Sequence, residues 1–381
     1  MAPKYEVADI LNEHWLQLQQ KGNFNSWQLR TLNAIRRCRT IDLGGHIDGC
    51  TNCGQILISY NSCRNRHCPR CQGQNRINWI EAREAELLPV PYFHVVFTIP
   101  DTLNRFCLFK AKVIYDILFK TAWSVINDFG HDPKWLGAQT GMISILHTWG
   151  QALSLHPHLH CIIPAGGLTR DGRWIPSKTQ GKYLFPVTAM SKVFRARFIL
   201  ELAAQLPKHV TQELKDELFG KDWVVYAKRP FKSVHSAIEY LGRYTHKIAI
   251  SNHRLLEVSE DEVSFSYKDY REEGKKKMMT LDALEFIRRF ALHILPRAFV
   301  RIRHYGILSN ATKQETIPLI RSLLPEQKIN KNKGPKPEYY NPRKCPCCGK
   351  QTLEKLIGLK HRGPPTESLI ETAAGLLKMM D

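Results

Sequence analysis

The sequence predicts an α+β protein in which a cysteine-rich N-terminal module precedes an antiparallel sheet flanked by helices. Three observations favour this organisation: two Cys-x-x-Cys pairs near the N-terminus, short alternating apolar runs in the middle of the chain, and helical apolar spacing between those runs. We therefore expect a helical, cysteine-rich domain at residues 1–90, a sheet domain at 91–310, and a basic linker with a C-terminal tail at 311–381.

The charge balance indicates a polyanionic partner. Among 381 residues, 55 Lys and Arg outnumber 35 Asp and Glu, which gives a net charge of +20. Nucleic acid is the first candidate for such a partner, and an anionic membrane surface is the alternative. We find no apolar run long enough to span a bilayer and no signal-peptide pattern, so we expect a cytoplasmic, nucleoid-associated protein without a membrane partner.

The first elements are predicted to be helices that pack on the cysteine-rich segment. Apolar residues recur at helical spacing from Tyr5 to Lys21, and Ser26 opens a second helical pattern. Pro89 and Pro91 mark the end of this domain, because the residue before a proline disfavours helical conformation.

The cysteine pairs predict a structural zinc site. Cys50, Cys53, Cys68 and Cys71 form two Cys-x-x-Cys turns, each of which can present two thiolates to one tetrahedral ion. The chain has 11 cysteines and no secretion signal, which favours metal thiolates in a reducing compartment over disulfides. A second zinc, or another choice of four ligands, remains open because three further candidates lie at ligand-like spacing: His46, Cys63 and His67.

Arginines interleave with these cysteines and suggest a contact with DNA. Arg64, Arg66 and Arg70 would lie on a loop stiffened by zinc, where their guanidinium groups could hold a phosphate backbone. The alternative is that zinc only replaces a hydrophobic core in a small module.

Histidines on two predicted strands form a candidate metal site. Side chains alternate along a strand, so His158 and His160 point to one face while Leu159 points to the opposite, apolar face. A β-rich run from Met142 ends in His147, and an antiparallel return would bring the three imidazoles together. Imidazole is the commonest side-chain metal ligand, although the same spacing is also typical of half-buried polar residues.

A helix downstream is predicted to project two phenols together. Ser233 is a plausible N-cap, and apolar residues recur at helical spacing as far as Thr245. Tyr240 and Tyr244 are four residues apart and share a different face of that helix. Tyrosines at a half-buried helix flank with wet hydroxyl groups are the alternative interpretation.

Three smaller features complete the chain. Tyr92 to Ile99 is predicted to be the first strand of the sheet, with His94 in a structural role. Arg301 and Arg303 share one strand face, as phosphate-contacting pairs often do. The C-terminal cysteines Cys345–Cys348 could supply two metal ligands, but no second pair lies near them in the sequence.

Three sequence blocks and the cysteine-rich start resemble a known superfamily. The blocks are HPHLHC (His156–Cys161), YLGRYTHKIAISNHR (Tyr240–Arg254) and FIRRFALHILPRAFVRIRHYGIL (Phe286–Leu308). They resemble the HUH single-strand endonucleases and, within these, the two-tyrosine rolling-circle transposases of the insertion-sequence ninety-one family. The resemblance implies that residues 1–90 form a zinc-binding, DNA-binding domain and that residues 91–310 form the HUH catalytic domain.

The resemblance also implies a chemistry. Single-stranded or hairpin DNA at the element ends would be nicked and rejoined, with target DNA, through a 5′-phosphotyrosine on Tyr240 or Tyr244. Structural Zn²⁺ would accompany catalytic Mg²⁺ or Mn²⁺. Which tyrosine acts first and the oligomeric state stay open.

The catalytic cation would be held by His158, His160 and a third ligand. His147 is the first choice because HUH relaxases also carry an upstream third histidine, and His156 and Gln151 are alternatives. The competing functions are an HUH replication initiator or relaxase and, from another class, a non-enzymatic zinc-finger DNA-binding protein.

Overall fold

The computed structural model describes most of the chain. The described residues are 3–71, 86–178, 184–231, 236, 242, 248–325, 341–360 and 364–379. They form α-helices and β-strands whose sheets are antiparallel, so the predicted α+β class is confirmed. None of the helices in these ranges is long and apolar enough to cross a membrane.

The described helices and strands are numbered separately in chain order. The helices are α1 (Val7–Glu13), α2 (Trp15–Lys21), α3 (Ser26–Arg36), α4 (Asn104–Phe109), α5 (Ala111–His131), α6 (Val187–Gln205), α7 (Gln212–Gly220), α8 (Ala283–Leu292), α9 (Lys313–Leu323) and α10 (Glu367–Lys378). The strands are β1 (Gly45–Cys50), β2 (Ile56–Tyr60), β3 (Tyr92–Thr98), β4 (Gly141–Trp149), β5 (Leu155–Pro164), β6 (Gly166–Leu168), β7 (Trp174–Pro176), β8 (Val225–Phe231), β9 (Leu255–Val258), β10 (Glu262–Asp269), β11 (Lys275–Asp282), β12 (Ile302–Gly306) and β13 (Leu353–Leu359).

The chain folds into two compact units with interleaved segments. The first unit comprises Met1–Ile77, Ile250–Ile294 and Asn332–Asp381, and the second comprises Asn78–Ala249 and Leu295–Lys331. This division differs from the predicted boundaries, which placed the second segment of the first unit in the catalytic domain and the third in a linker and tail. The third segment belongs to the first unit because β13 pairs along the whole of β1.

The second unit is built on a five-stranded antiparallel sheet in the order β12-β4-β5-β3-β8. One face of the sheet is covered by a large apolar core that includes residues of α5 and α6. Strand residues of this core alternate in position, as a half-buried strand requires. They are Phe93, Val95, Phe97, Met142, Leu146, Leu159, Cys161 and Ile163. Leu159 is fully buried here, as the alternation predicted, and burial of a side chain of this size contributes about 1.5–3 kcal/mol.

The opposite face of the sheet has two halves. One half is apolar, where Ile143, Ile145 and Ile162 pack in a cluster with Ile317 and Ile320 of α9. The other half carries the histidines of β4 and β5. This face of the sheet therefore has an apolar half that packs on α9 and a polar half that carries the histidine side chains.

A short hairpin loop sets the register of β4 and β5. Gly150 donates its backbone N–H to the carbonyl of Ser154 at 2.8 Å, and Leu153 takes a left-handed φ of 58°. His147 lies opposite His158 in the resulting ladder, and an irregularity follows between His147 and Trp149. The hairpin thus places both strand ends beside each other.

The first unit contains two three-stranded antiparallel sheets, in the orders β13-β1-β2 and β11-β10-β9. Side chains join its segments. Asn252 accepts a hydrogen bond from the backbone N–H of Val7 at 3.2 Å, and Gln28 donates to the carbonyl of Ala291 at 3.0 Å. Residues 250–294 are thereby bonded to the N-terminal helices.

One glycine in the second unit is expected to be intolerant of any side chain. Gly306 has a φ of 58°, and a Cβ atom there would lie 2.1 Å from the carbonyl oxygen of Thr140. We predict that Gly306→Ala lowers the free energy of unfolding by more than about 1 kcal/mol, because both the left-handed conformation and the contact are unfavourable. The matched control is Gly172→Ala, where φ is 81° but no atom lies within 4 Å. Thermal melts showing equal losses for both variants would contradict the role of the contact.

Candidate functional site

Three histidines meet on the polar half of the sheet. In the ladder His147 is opposite His158, and His160 is opposite Ile145, so all three side chains share one face. Their nearest ligand nitrogens all lie within 4.8 Å of one another. The ring centroid of His147 is 5.4 Å from that of His158 and 4.7 Å from that of His160. The structure thus brings together the imidazoles that the strand pattern predicted, and the choice of His147 as third member agrees with this geometry.

Hydrogen bonds orient two of the three rings. Nδ1 of His158 lies 2.7 Å from the backbone carbonyl oxygen of His156. A carbonyl can only accept, so this Nδ1 carries the proton and Nε2 keeps its lone pair for a ligand. Nδ1 of His160 lies 2.9 Å from Nε2 of His94. A metal-bound histidine normally makes such a second hydrogen bond, which fixes its tautomer and ring orientation.

His94 is the residue whose contribution the sequence did not reveal. It lies on β3, is 1% exposed, and its ring stacks on His160 with a centroid distance of 5.2 Å. Burial lowers the pKa of His94 to about 3, with further lowering by Lys228 and His158. The ring is therefore neutral near pH 7, and its Nε2 can accept a hydrogen bond from the Nδ1–H of His160. The sequence indicates only that His94 lies on a predicted strand, and the pairing of that strand with β5 is known from the structure.

The two alternative third ligands, His156 and Gln151, lie outside the three-histidine group. His156 is exposed, and its ring centroid is 5.1 Å from that of His158. Among the residues that the structure describes, it is not part of the three-histidine group, and its backbone carbonyl orients His158. Gln151 lies in the hairpin loop between β4 and β5 and is half-buried.

The predicted tyrosine pair lies outside the described residues. Tyr240 and Tyr244 therefore have no measured position relative to the histidines. Ser236 and Gly242, which are described, have helical backbone conformation. The chain enters that region from β8, which pairs with β3.

The two predicted phosphate-binding arginines differ in their surroundings. The Arg301 guanidinium lies over the ring of Trp149, 5.2 Å from its centroid, and Trp149 in turn stacks on His147 at 4.5 Å. Nε of Arg301 donates to the carbonyl of Leu146 at 3.0 Å. This chain of contacts places a positive charge beside the histidines.

Arg303 is instead held inside the unit. Its guanidinium forms an ion pair with Asp116 and lies over Phe119, 4.1 Å from the ring centroid. A phosphate would have to compete with Asp116 for this cation. The geometry therefore favours Arg301 over Arg303 as a contact for DNA.

The cysteines of the first unit form two groups of four. In each group the four sulfur atoms lie within 4.8 Å of one another. One group is Cys38, Cys63, Cys68 and Cys71, and the other is Cys50, Cys53, Cys345 and Cys348. The first-choice set of Cys50, Cys53, Cys68 and Cys71 is therefore not brought together, and the geometry agrees with the alternative that the sequence left open, another choice of four ligands with a second zinc. The Cys50 and Cys53 turn is grouped with Cys345 and Cys348, and the Cys68 and Cys71 turn is grouped with Cys38 and Cys63. Cys345 and Cys348 therefore have a second pair nearby in space, although none lies near them in the sequence.

The first group has the chemistry of a zinc site. Cys38 and Cys63 lie 3.5 Å and 3.7 Å, sulfur to sulfur, from Cys71. Hydrogen bonds shift the thiols in opposite directions: the pKa values of Cys38 and Cys71 are lowered, and those of Cys63 and Cys68 are raised. Four thiols this close cannot all ionise unless a cation lies between them. A tetrahedral Zn²⁺ is a cation of the kind that four thiolates bind.

Of the three additional zinc candidates, only Cys63 belongs to a group. His46 lies 3.2 Å from a carboxylate oxygen of Asp48, and His67 is buried outside both groups of described cysteines. Cys63 is a candidate from its spacing to Cys68 in the sequence, whereas the isolated Cys38 gives no local signal.

The arginines around this first group are divided between internal and outer positions. Arg70 donates to the carbonyl of Cys38 and forms an ion pair with Glu6, so it fastens the cysteine loop to the N-terminal segment. Arg64 is exposed and Arg66 is half-buried, and burial lowers the pKa of Arg66. Arg64 is thus more accessible to a phosphate than Arg70, whose guanidinium is already bonded to Cys38 and Glu6.

Comparison with known families matches both parts of the chain. Residues 141–315 match the family model described as "Putative transposase", and residues 10–99 match the model of the transposase zinc-binding domain. The first range contains the three histidines and both tyrosines, and the second contains the six N-terminal cysteines.

Two curated relatives extend over nearly the whole chain. The protein y4qJ of Sinorhizobium fredii, described in the same words as the family model, is 38% identical over 390 residues, which cover 94% of this chain and 97% of the relative. The transposase for insertion sequence element IS801 of Pseudomonas savastanoi pv. phaseolicola is 27% identical over 376 residues, which cover 92% and 90%. These matches confirm the resemblance inferred from the sequence blocks, and the chain belongs to the transposases of the insertion-sequence ninety-one family, with a zinc-binding N-terminal domain.

Proposed function

We propose that this transposase nicks and rejoins single-stranded DNA through a covalent 5′-phosphotyrosine during rolling-circle transposition. The observation that carries the proposal is the group of His147, His158 and His160 on two adjacent strands. Buried polar groups are costly unless they are hydrogen-bonded or bound to an ion, and three neighbouring imidazoles, two of them oriented by hydrogen bonds, are typical of a metal site. The basic charge of +20 and the family of DNA-acting relatives support DNA as the substrate.

The donor set fits a divalent cation with open positions. His158 offers Nε2 because its Nδ1 is bonded to a carbonyl, and His160 is held by His94 in the same way. Three protein nitrogens leave positions for water and phosphate oxygens, which suits Mg²⁺ or Mn²⁺. When bound, such a cation polarises the scissile phosphate and stabilises the charge that develops on it.

The tyrosines supply the nucleophile in this proposal. The phenol oxygen of Tyr240 or Tyr244 forms a bond to the phosphorus, and the bond between the phosphorus and the 3′ oxygen breaks. The phenol loses its proton to solvent and the leaving 3′ oxygen takes one up, so the step is balanced. The leaving strand ends in a free 3′-hydroxyl, and the 5′ end stays on the enzyme as a phosphodiester. Attack by a 3′-hydroxyl reverses the step without ATP, and a second tyrosine allows another cut while the first holds its strand.

Arg301 supplies positive charge for the strand in this proposal. Its guanidinium lies over the Trp149 ring, which in turn stacks on His147, so the charge stands beside the histidines, and positive charge that tracks the backbone is one of the features that single-stranded DNA binds. Single-stranded or hairpin DNA at the element ends and target DNA would be the partners. We expect the nicking and rejoining of DNA to take place at the nucleoid in the cytoplasm.

The competing functions have weaker support. A replication initiator or relaxase could use the same chemistry, but the zinc-binding domain and the IS801 relative favour transposition. A non-enzymatic zinc-finger DNA-binding protein does not account for the group of three imidazoles, which lies far in sequence from the two four-cysteine groups.

The tyrosine pair can be tested by trapping the covalent adduct. We predict that Tyr240→Phe combined with Tyr244→Phe abolishes a denaturation-resistant protein–DNA adduct on single-stranded element-end DNA with Mn²⁺, because no phenol remains to attack. Tyr270→Phe is the control, since Tyr270 is 71% exposed in the first unit and should leave adduct formation unchanged. An undiminished adduct in the double variant on a gel would falsify the mechanism.

The metal site can be tested independently of turnover. We predict that His158→Ala abolishes the adduct and Mn²⁺ binding, and that His94→Ala weakens Mn²⁺ binding by about 10- to 100-fold through loss of the bond to His160. Electron paramagnetic resonance titration of free Mn²⁺ measures the Mn²⁺ affinity of both variants without DNA. His131→Gln, at the exposed end of α5, is the control. Unchanged Mn²⁺ affinity in His158→Ala would exclude the site.

A further inference from the structure

We propose that Cys50, Cys53, Cys345 and Cys348 form a second structural zinc site, one that is complete only when the C-terminal segment is bound to the N-terminal module. The two halves of the site are 292 to 298 residues apart in the chain. The matched zinc-binding domain ends at residue 99 and the matched transposase region at residue 315, so neither contains the second half.

The two halves are the same structural motif used twice. The sequences Cys50-Thr-Asn-Cys53-Gly54-Gln55 and Cys345-Pro-Cys-Cys348-Gly349-Lys350 have equal spacing. In the first, Cys50 donates its N–H to the carbonyl of Gln55 at 3.0 Å, and Gly54 donates to the carbonyl of Cys50 at 2.9 Å.

The second turn repeats these bonds. Cys345 donates to the carbonyl of Lys350 at 2.8 Å, and Gly349 donates to the carbonyl of Cys345 at 2.9 Å. Both glycines have left-handed φ values, 69° for Gly54 and 73° for Gly349. Two equivalent turns facing each other are how a four-cysteine zinc site is assembled.

The sulfur distances match a tetrahedral zinc. Cys50 lies 3.7 Å from Cys348, and Cys53 lies 3.7 Å from Cys345. With Zn–S bonds of about 2.3 Å, neighbouring sulfurs of a regular tetrahedron are about 3.8 Å apart. A disulfide would require about 2.05 Å, so the four thiols are spaced for one ion and not for two covalent bridges.

The surrounding sheet holds the two turns in place. The N-terminal turn directly follows β1 and the C-terminal turn precedes β13, and these strands pair from Cys50 with Leu353 to Gly45 with Leu359. Beyond the ladder, the N–H of Thr51 donates to the carbonyl of Thr352 at 3.1 Å. The Thr352 hydroxyl lies 3.1 Å from the sulfur of Cys50, where it can donate to a thiolate.

Position in the sulfur group, not burial, separates the ligands from Cys347. Cys50 and Cys345 are fully buried, Cys348 is half-buried and Cys53 is exposed, whereas Cys347 is exposed and belongs to neither group among the described residues. Cys347 is therefore a matched control: the same residue type, in the same turn, without a role in the site.

The test is the zinc content of the full-length protein. Inductively coupled plasma mass spectrometry should give two zinc ions per chain, Cys345→Ser with Cys348→Ser should give one, and Cys347→Ser should keep two. Cys348→His should also keep two, because three thiolates and one imidazole suit zinc. Amide hydrogen exchange should become fast in β13 of the double variant and stay slow in β10 and β11.

Three results would overturn the proposal. They are one zinc per chain in the unaltered protein, two in the Cys345→Ser, Cys348→Ser variant, or loss of zinc in Cys347→Ser. A count of one zinc in the unaltered protein overturns the proposal even if the double variant proves insoluble. None of these results bears on the histidine site, which has its own test.

Discussion

The antiparallel register of β4 and β5 is the constraint on which the candidate catalytic site depends. It sets His147 opposite His158 and leaves His160 on the same face. A slip of one residue would turn every side chain of one strand to the other face and move Leu159 out of the core. The apolar side of the sheet therefore enforces the polar side, because the large core beneath it admits only one register.

The orientation of the His160 ring depends on a further strand. His94 reaches His160 only because β3 lies next to β5, and its neighbour Val95 is buried in the core on the opposite face. The histidine group is thus held by packing in two directions, by the hairpin loop at one side and by β3 at the other. Precise placement of ligands by a rigid sheet is what a phosphate-processing site requires.

Features with a short sequence period could be predicted, and those that depend on distant contacts could not. The alternation of His158, Leu159 and His160 is a local property of a strand, so the shared face of the two histidines followed from sequence. The assignment of cysteines to zinc sites is not local: Cys-x-x-Cys turns indicate that a metal site is present but not which turns share it. Only the pairing of β13 with β1 shows that Cys50 and Cys53 belong with residues near the other end of the chain.

The separation of the two cysteine turns also has a consequence for synthesis of the protein. Cys50 leaves the ribosome well before Cys348, its neighbour in the folded chain, which is 298 residues further on. At translation rates of 5–20 residues per second, this interval is about 15–60 s. During that time the early thiols have only half of their coordination shell, so a nascent or truncated transposase would differ from a finished one in its metal content.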